Sequence, residues 1–158
     1  MTTVQQVKKS PKMISFFVPG NPVAKARSRT VRNKHTGKVH SFTPENTVIF
    51  ENLVKTKAQE AMGGAEPITG ALELYINVGL TIPTTWSEKR RGEALRGEIA
   101  PTKKPDLDNI VKAIKDGMNA IVYQDDSRIV RLIAAKHYTA TPGVFVHVLQ
   151  LEGTRAAP

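Results

Sequence analysis

The sequence contains few aromatic residues, no cysteine and no long apolar run, and the last two absences each exclude a class of protein. Without cysteine there is no disulfide, no thiolate zinc site and no cysteine nucleophile, so any metal must be held by Asp, Glu or His. No segment approaches the roughly 20 apolar residues of a membrane span, and residues 1–12 lack the apolar stretch of a signal peptide. We therefore expect an intracellular protein of one domain, because 158 residues is an ordinary domain size.

Negative charge is absent from the first 44 residues, although acidic residues are common elsewhere. Residues 1–44 contain nine Lys or Arg and no Asp or Glu, whereas residues 45–158 contain 14 basic residues (Lys or Arg) and 14 acidic residues (Asp or Glu). The net charge of +9 therefore arises entirely from the first segment. A basic block beside a neutral remainder produces a directed field, whose commonest partner is a polyanion such as nucleic acid. The alternative is a solvated segment that only increases solubility.

Basic residues in two segments are the candidates for contact with nucleic acid. In the first segment, Lys25, Arg27 and Arg29 are spaced by two, which predicts that they share one side of an extended chain and contact successive phosphates. The solitary Trp86 could stack on a base, although such a residue more often anchors a loop. The candidate DNA-binding residues are Lys25, Arg27, Arg29, Arg32, Lys34, Lys38, Lys103 and Lys104.

Apolar periodicity predicts an α+β fold, with two helices packed on a mixed, mostly antiparallel sheet in two layers. The predicted helices span residues 44–62, capped by Thr43, and 107–121; Thr85 and Glu88 have a capping-box spacing, which predicts a shorter helix there. The predicted strands are "MISFFVPG", "ALELYINVGLTIP" and an antiparallel hairpin formed by "RIVRLIAAKHY" and "GVFVHVLQLE". The expected organisation is a flexible basic tail at 1–12, one domain at 13–152 and a short tail at 153–158.

Four carboxylates bracket the predicted helix at 107–121. Asp106 and Asp108 lie at its start, and Asp125 and Asp126 follow its end. One Asp at a helix start is usually a cap or a partner of the helix dipole, but four carboxylates repel one another unless they lie apart or are neutralised. We expect the chain to fold back and bring both pairs together at the N-terminal end of the helix. Such a set of hard oxygen ligands suits Mg²⁺ or Mn²⁺.

The direction of the first two carboxylates depends on where the helix begins. If Asp106 and Asp108 are extended they point to one side, whereas in a helical turn they diverge by about 200°. Lys112 either forms a surface salt bridge with Asp108 or orients a phosphate or the attacking water. The Asp-x-Asp pattern also occurs in phosphatases and glycosyltransferases, but the polar lead-in "PTKKP" and the chain length fit both poorly.

The segment "KPDLDNIVKAIKDGMNAIVYQDDSRIV" resembles the signature of the RusA family of Holliday-junction resolvases, small endonucleases of bacteria and their phages. The resemblance is strong over residues 103–130 and compatible over 13–151. It implies a homodimer that binds four-way DNA junctions and nicks two strands symmetrically with Mg²⁺, in DNA recombination and repair. It also implies that Asp106, Asp108 and Asp126 are metal-binding catalytic carboxylates, that Asp125 is a neighbouring ligand and that Lys112 is catalytic.

Two other functions remain open from the sequence. One is a binding module that keeps the fold and binds branched DNA without cleaving it. The other is a metal-dependent nuclease that acts on other branched nucleic acids. The resemblance implies no small-molecule cofactor and no membrane partner.

Overall fold

The computed structural model describes residues 9–158. Residues 1–8, which include most of the predicted N-terminal tail, lie outside the described residues. The described chain forms the strands β1 (Met13–Pro19), β2 (Arg29–Arg32), β3 (Val39–Phe42), β4 (Leu72–Thr81), β5 (Ile129–Thr139) and β6 (Gly143–Gln150), and the helices α1 (Glu45–Met62), α2 (Glu88–Leu95) and α3 (Leu107–Met118).

The main sheet has four strands in the order β1-β6-β4-β5, and β4 is its centre. Strand β4 pairs antiparallel with β6 and parallel with β5, so that Leu74 lies between Val148 and Leu132. The apolar alternation along β4 buries every second side chain in the core, as the pattern predicted. The parallel pair requires a crossover, which α2 and α3 provide between β4 and β5. The predicted α+β class with a mixed, mostly antiparallel sheet is confirmed.

The prediction of a hairpin between the last two strands is wrong, because β4 lies between β5 and β6. The connection between them crosses the end of β4 beside Gly79, where a Cβ atom would lie 2.6 Å from Cγ2 of Thr139. A short turn is compatible with direct pairing and with a third strand inserted between its two arms. The arrangement depends on β4, which is distant in the sequence and forms backbone hydrogen bonds with β5 on one side and with β6 on the other.

Helices α1 and α3 cover one face of the sheet and complete the two layers. Ile110, Ile114 and Met118 of the apolar stripe of α3 are fully buried, and Leu107 at its start is partly buried. The two helices approach closely at Gly117, where a Cβ atom would lie 2.8 Å from the side chain of Val54. The stripe therefore fixes both ends of α3 on the body of the protein.

Three helix ends differ from the predicted positions. Helix α1 begins after Pro44, which is the N-cap residue in place of Thr43. Helix α2 is capped by Ser87, whose hydroxyl accepts a hydrogen bond from the backbone N–H of Arg90, so Thr85 is not the cap. Helix α3 ends at Met118 and not at residue 121. Each end lies within three residues of its predicted position, and the boundaries of helices are less sharply encoded in the sequence than the helices themselves.

Strands β2 and β3 form a separate two-stranded hairpin whose residues are all exposed. It projects the basic segment away from the main sheet. Across residues 9–158, no helix combines the length and the apolar character needed to cross a bilayer.

Candidate active site

The N-terminal end of α3 presents two exposed carboxylates. Asp106 is the N-cap residue in an extended conformation, and its side chain makes no capping hydrogen bond. Asp108 lies in the first helical turn. In the part of the chain that the structure describes, neither carboxylate takes part in a salt bridge. Asp106 therefore occupies the usual position of a cap without acting as one, which leaves both of its oxygens available to a ligand.

Two connections fix the position of this end of the helix. The ammonium of Lys136, on β5, donates hydrogen bonds to the carbonyl oxygens of Lys103 (2.9 Å) and Pro105 (3.0 Å). The backbone N–H of Lys25 donates to the carbonyl oxygen of Asn109 at 2.9 Å. The side chains of Lys103 and Lys104 are exposed. Positive charge and free carboxylates thus meet at the start of α3.

The second pair of carboxylates lies beyond the opposite end of α3. The Asp125 carboxylate accepts a hydrogen bond from the backbone N–H of Ser127 at 2.9 Å and caps the 3₁₀ turn Asp126–Arg128. The hydrogen bonds from Ser127 hold the pKa of Asp125 below its ordinary value. Asp126 forms a salt bridge of 2.8 Å with Lys115, in the last turn of α3. Both carboxylates are therefore engaged by local partners.

One chain does not bring the two pairs together. Strand β5 runs parallel to β4, and α3 returns between them, so the start of β5 lies at the C-terminal end of α3. A helix of 12 residues is about 18 Å long. Within residues 9–158, no group of three or more His, Asp or Glu side chains is placed to hold a metal ion. The expected return to the N-terminal end of the helix is wrong within one subunit, and metal binding by Asp106, Asp108, Asp125 and Asp126 stays a prediction.

The predicted salt bridge between Lys112 and Asp108 is not formed. Lys112 lies instead 3.8 Å from Asp116, close to the limit for an ion pair, and its side chain is 61% exposed. The other oxygen of Asp116 accepts a stronger contact from Lys25, at 3.0 Å. Lys112 is therefore weakly held and accessible from solvent at the middle of α3.

The predicted row of three free cations is incomplete, because Lys25 turns towards the body. Its ammonium forms salt bridges with Glu51 on α1 and Asp116 on α3, and the side chain is 24% exposed. Partial burial lowers the pKa of Lys25, but hydrogen bonds to the two carboxylates outweigh this and raise it overall. Arg27 and Arg29 remain exposed. The extended strand begins only at Arg29, so Lys25 and Arg27 precede it.

The remaining basic candidates lie on the β2–β3 hairpin. Arg32 ends β2 opposite Val39, Lys34 lies in the turn, and Lys38 precedes β3. All three are exposed, which is compatible with contact to a large anionic ligand.

Sequence reasoning missed Lys115 and Lys136, which organise the two ends of α3. Lys136 contacts a segment that is distant from it in the sequence, and Lys115 contacts Asp126 across the loop that follows α3. Helical or strand spacing therefore reveals neither contact. A lysine within the apolar segment "LIAAKHY" was a signal that Lys136 has a specific partner.

A shallow groove runs along α3 between its two ends. Its cavity volume is about 560 Å³, and α3 and β5 form its walls. The apolar walls come from Leu107, Val111, Leu132 and Ala134, and Asp108, Lys112 and Lys115 add charge. The groove opens beside the free edge of β5.

An exposed basic hairpin and accessible carboxylates on one α+β scaffold are compatible with an enzyme that acts on nucleic-acid phosphodiesters. The comparisons with known proteins identify the family. The model of the family described as endodeoxyribonuclease RusA matches residues 19–149. A Bacillus subtilis (strain 168) protein described as "Uncharacterized protein YqaN" is 36% identical over 141 residues, which cover 87% of this chain and 96% of that protein. The chain belongs to the RusA endodeoxyribonuclease family, and this membership implies a nuclease.

Proposed function

We propose that this protein is a Mg²⁺-dependent endonuclease that resolves four-way DNA junctions in recombination and repair. It acts as a homodimer and makes paired, symmetric nicks. The observation that carries the proposal is the division of the motif carboxylates between the two ends of α3, beside a free sheet edge. Family membership supports nuclease chemistry and a junction substrate.

The free edge of β5 is suited to a second copy of the chain. Strand β5 is an outer strand of the main sheet, and its backbone groups on one side have no strand partner among residues 9–158. It exposes Val130 (63%), Leu132 (48%) and Ile133 (41%). An exposed apolar edge strand favours pairing with another chain. In a two-fold symmetric dimer, the β5 edges of the two subunits would pair with each other.

A two-fold axis through β5 would also reunite the carboxylates. Two β5 strands related by such an axis run antiparallel, so the start of one lies beside the end of the other. The end of β5 carries Lys136, which is bonded to the segment that leads into Asp106. The partner's Asp126 then lies close to Asp106 and Asp108. The dimer has two such composite sites, one for each strand to be cut.

The donor set fits a hard divalent cation, because Asp106 and Asp108 are exposed, carry only oxygen donors and form no salt bridge within residues 9–158. Asp106 and Asp108 would hold Mg²⁺, which would supply Lewis-acid stabilisation of a phosphodiester oxygen and would lower the pKa of bound water. The protein supplies the remaining functions. Lys112 orients the scissile phosphate or neutralises its developing charge, and Lys103 and Lys104 bind adjacent phosphates.

Mixing of two inactive variants tests the composite site. Asp106→Asn and Asp126→Asn homodimers should each be inactive on a synthetic four-way junction. In a mixed dimer, one composite site combines both substitutions and the other contains neither. Subunit exchange should therefore restore about a quarter of the wild-type sites and yield single nicks. Nicked products are measured on a denaturing gel with labelled strands.

Continued inactivity after verified exchange would show that each site lies within one chain. The control is a mixture in which both partners carry Asp106→Asn, which should stay inactive. The same gel, run with junction, duplex and single-stranded DNA, with Mg²⁺ or chelator, tests the activity itself. Junction binding without any metal-dependent cleavage by the wild-type protein would favour the non-catalytic binding module.

A further inference from the structure

A second cavity lies on the other side of the segment that precedes Asp106. It has a volume of about 570 Å³ and is enclosed by the end of β4, the start of α2 and residues 99–105, with Tyr138 of β5 at one wall. It contains none of the four motif aspartates, but Pro105 belongs to its lining. We call it the Trp86 cavity. Its size is in the range of cavities that bind small organic ligands.

The wall of the Trp86 cavity contains two aromatic rings and one stacked guanidinium. Trp86 and Tyr138 meet edge to face, with centroids 5.2 Å apart and planes at 68°. The guanidinium carbon of Arg90 lies 4.1 Å from the centre of the Trp86 ring. Aromatic faces and guanidinium planes are the surfaces on which proteins stack unpaired bases.

The rim of the Trp86 cavity is basic. Arg90, Lys103 and Lys104 line it, and none of them forms a salt bridge within residues 9–158. The described lining contains no Asp or Glu. The hydrogen bonds of Lys136 to the carbonyls of Lys103 and Pro105 hold this wall in place. The cavity therefore combines a stacking surface with unpaired positive charge, which suits a nucleotide.

We propose that the Trp86 cavity binds one unstacked nucleotide of the DNA substrate. Its base stacks against Trp86, Tyr138 and the Arg90 guanidinium, and its phosphate lies on Lys103 and Lys104. This inference rests on the proposed nuclease function. Because Pro105 joins the cavity to Asp106, the captured nucleotide is a close neighbour of the phosphate to be cut. Bases beside a branch point have fewer stacking partners than bases in duplex, so they cost less to displace.

The fluorescence of Trp86 tests the proposal directly, because it is the only tryptophan in the sequence. The Asp106→Asn protein is titrated with a junction that carries 2-aminopurine at successive positions around the crossover. Binding is followed in parallel by the anisotropy of a distant dye. We expect quenching of Trp86 and a change in 2-aminopurine emission at one position, with neither change on continuous duplex.

Substitutions separate stacking from charge. Trp86→Ala should weaken junction binding by about fivefold or more, whereas Trp86→Phe should retain most of the affinity, because a ring still offers a stacking face. Lys104→Ala alters only an exposed side chain, so it tests the phosphate contact without a risk to folding. It should weaken junction binding and reduce its salt dependence.

The outcomes distinguish this proposal from the proposed function. An anisotropy increase without any change in Trp86 or 2-aminopurine emission would overturn the nucleotide site and leave the nuclease intact. Equal affinity for Trp86→Ala and wild type would overturn it as well. An absence of junction binding by the wild-type protein would overturn both.

Discussion

The two ends of α3 carry similar carboxylates in different surroundings. At the N-terminal end, Asp106 and Asp108 are exposed; Asp106 makes no capping hydrogen bond, and neither carboxylate forms a salt bridge with another of the residues 9–158. At the C-terminal end, Asp125 caps a 3₁₀ turn and Asp126 is paired with Lys115. Aspartates that satisfy local backbone or charge have a structural reason to be present. Those at the N-terminal end make no such contact with another side chain among residues 9–158, which is why we assign them first to the site.

The largest expected effect separates the two ends by a single substitution at each. Asp106→Asn should lower junction cleavage roughly 10³-fold, since it removes a charge at the reacting phosphate. Binding should be retained or become tighter, because repulsion between carboxylate and phosphate falls. Asp125→Asn should leave cleavage close to the wild-type rate, because an asparagine side chain still accepts the hydrogen bond from Ser127. Single-turnover rates and anisotropy measure both properties.

Equal loss of activity in both variants would show that Asp125 is also a ligand. An active Asp106→Asn protein would contradict the metal assignment at the N-terminal end.

A smaller effect is expected along the exposed face of α3. Lys112→Ala should reduce the rate of the chemical step about 100-fold with little change in junction affinity, since Lys112 acts on developing charge. Lys57→Ala is a matched control, because that lysine is paired with Glu60 on α1. Single-turnover rates at saturating protein give the chemical step. Weaker junction binding at an unchanged rate of the chemical step would instead indicate that Lys112 is only a surface ion-pair residue.

The smallest effect concerns the basic segment that passes the N-terminal end. Replacement of both Arg27 and Arg29 by Ala should make the slope of log affinity against log salt shallower by about 1.8, because two phosphate contacts are lost. The chemical step should not change. The control replaces Lys57 and Arg96, which are already paired with Glu60 and Glu98. An unchanged slope in the arginine variant would indicate a solvated face that does not contact DNA.

Local patterns predicted the elements of the fold well. The alternation in β4 and the stripe of α3 each report burial of one face, which depends on nearby residues in the chain. The predicted pairing of β5 with β6 was wrong, because β4 lies between them in the sheet. That insertion depends on contacts between segments that are distant in the sequence. Charge identified the exposed Arg27 and Arg29 but could not show that Lys25 is neutralised by Glu51 and Asp116.

The sequence by itself determined the chemistry available to this protein: oxygen ligands, a basic first quarter and the motif of the RusA family. These follow from residue types and short spacings, which do not change on folding. Only the tertiary structure decided where the carboxylates lie. A parallel strand must be reached by a crossover, and that crossover places Asp126 beside Lys115, in the last turn of α3, whereas Asp106 lies at its start. One chain therefore carries both halves of the motif but separates them, and we propose that a second copy completes the site.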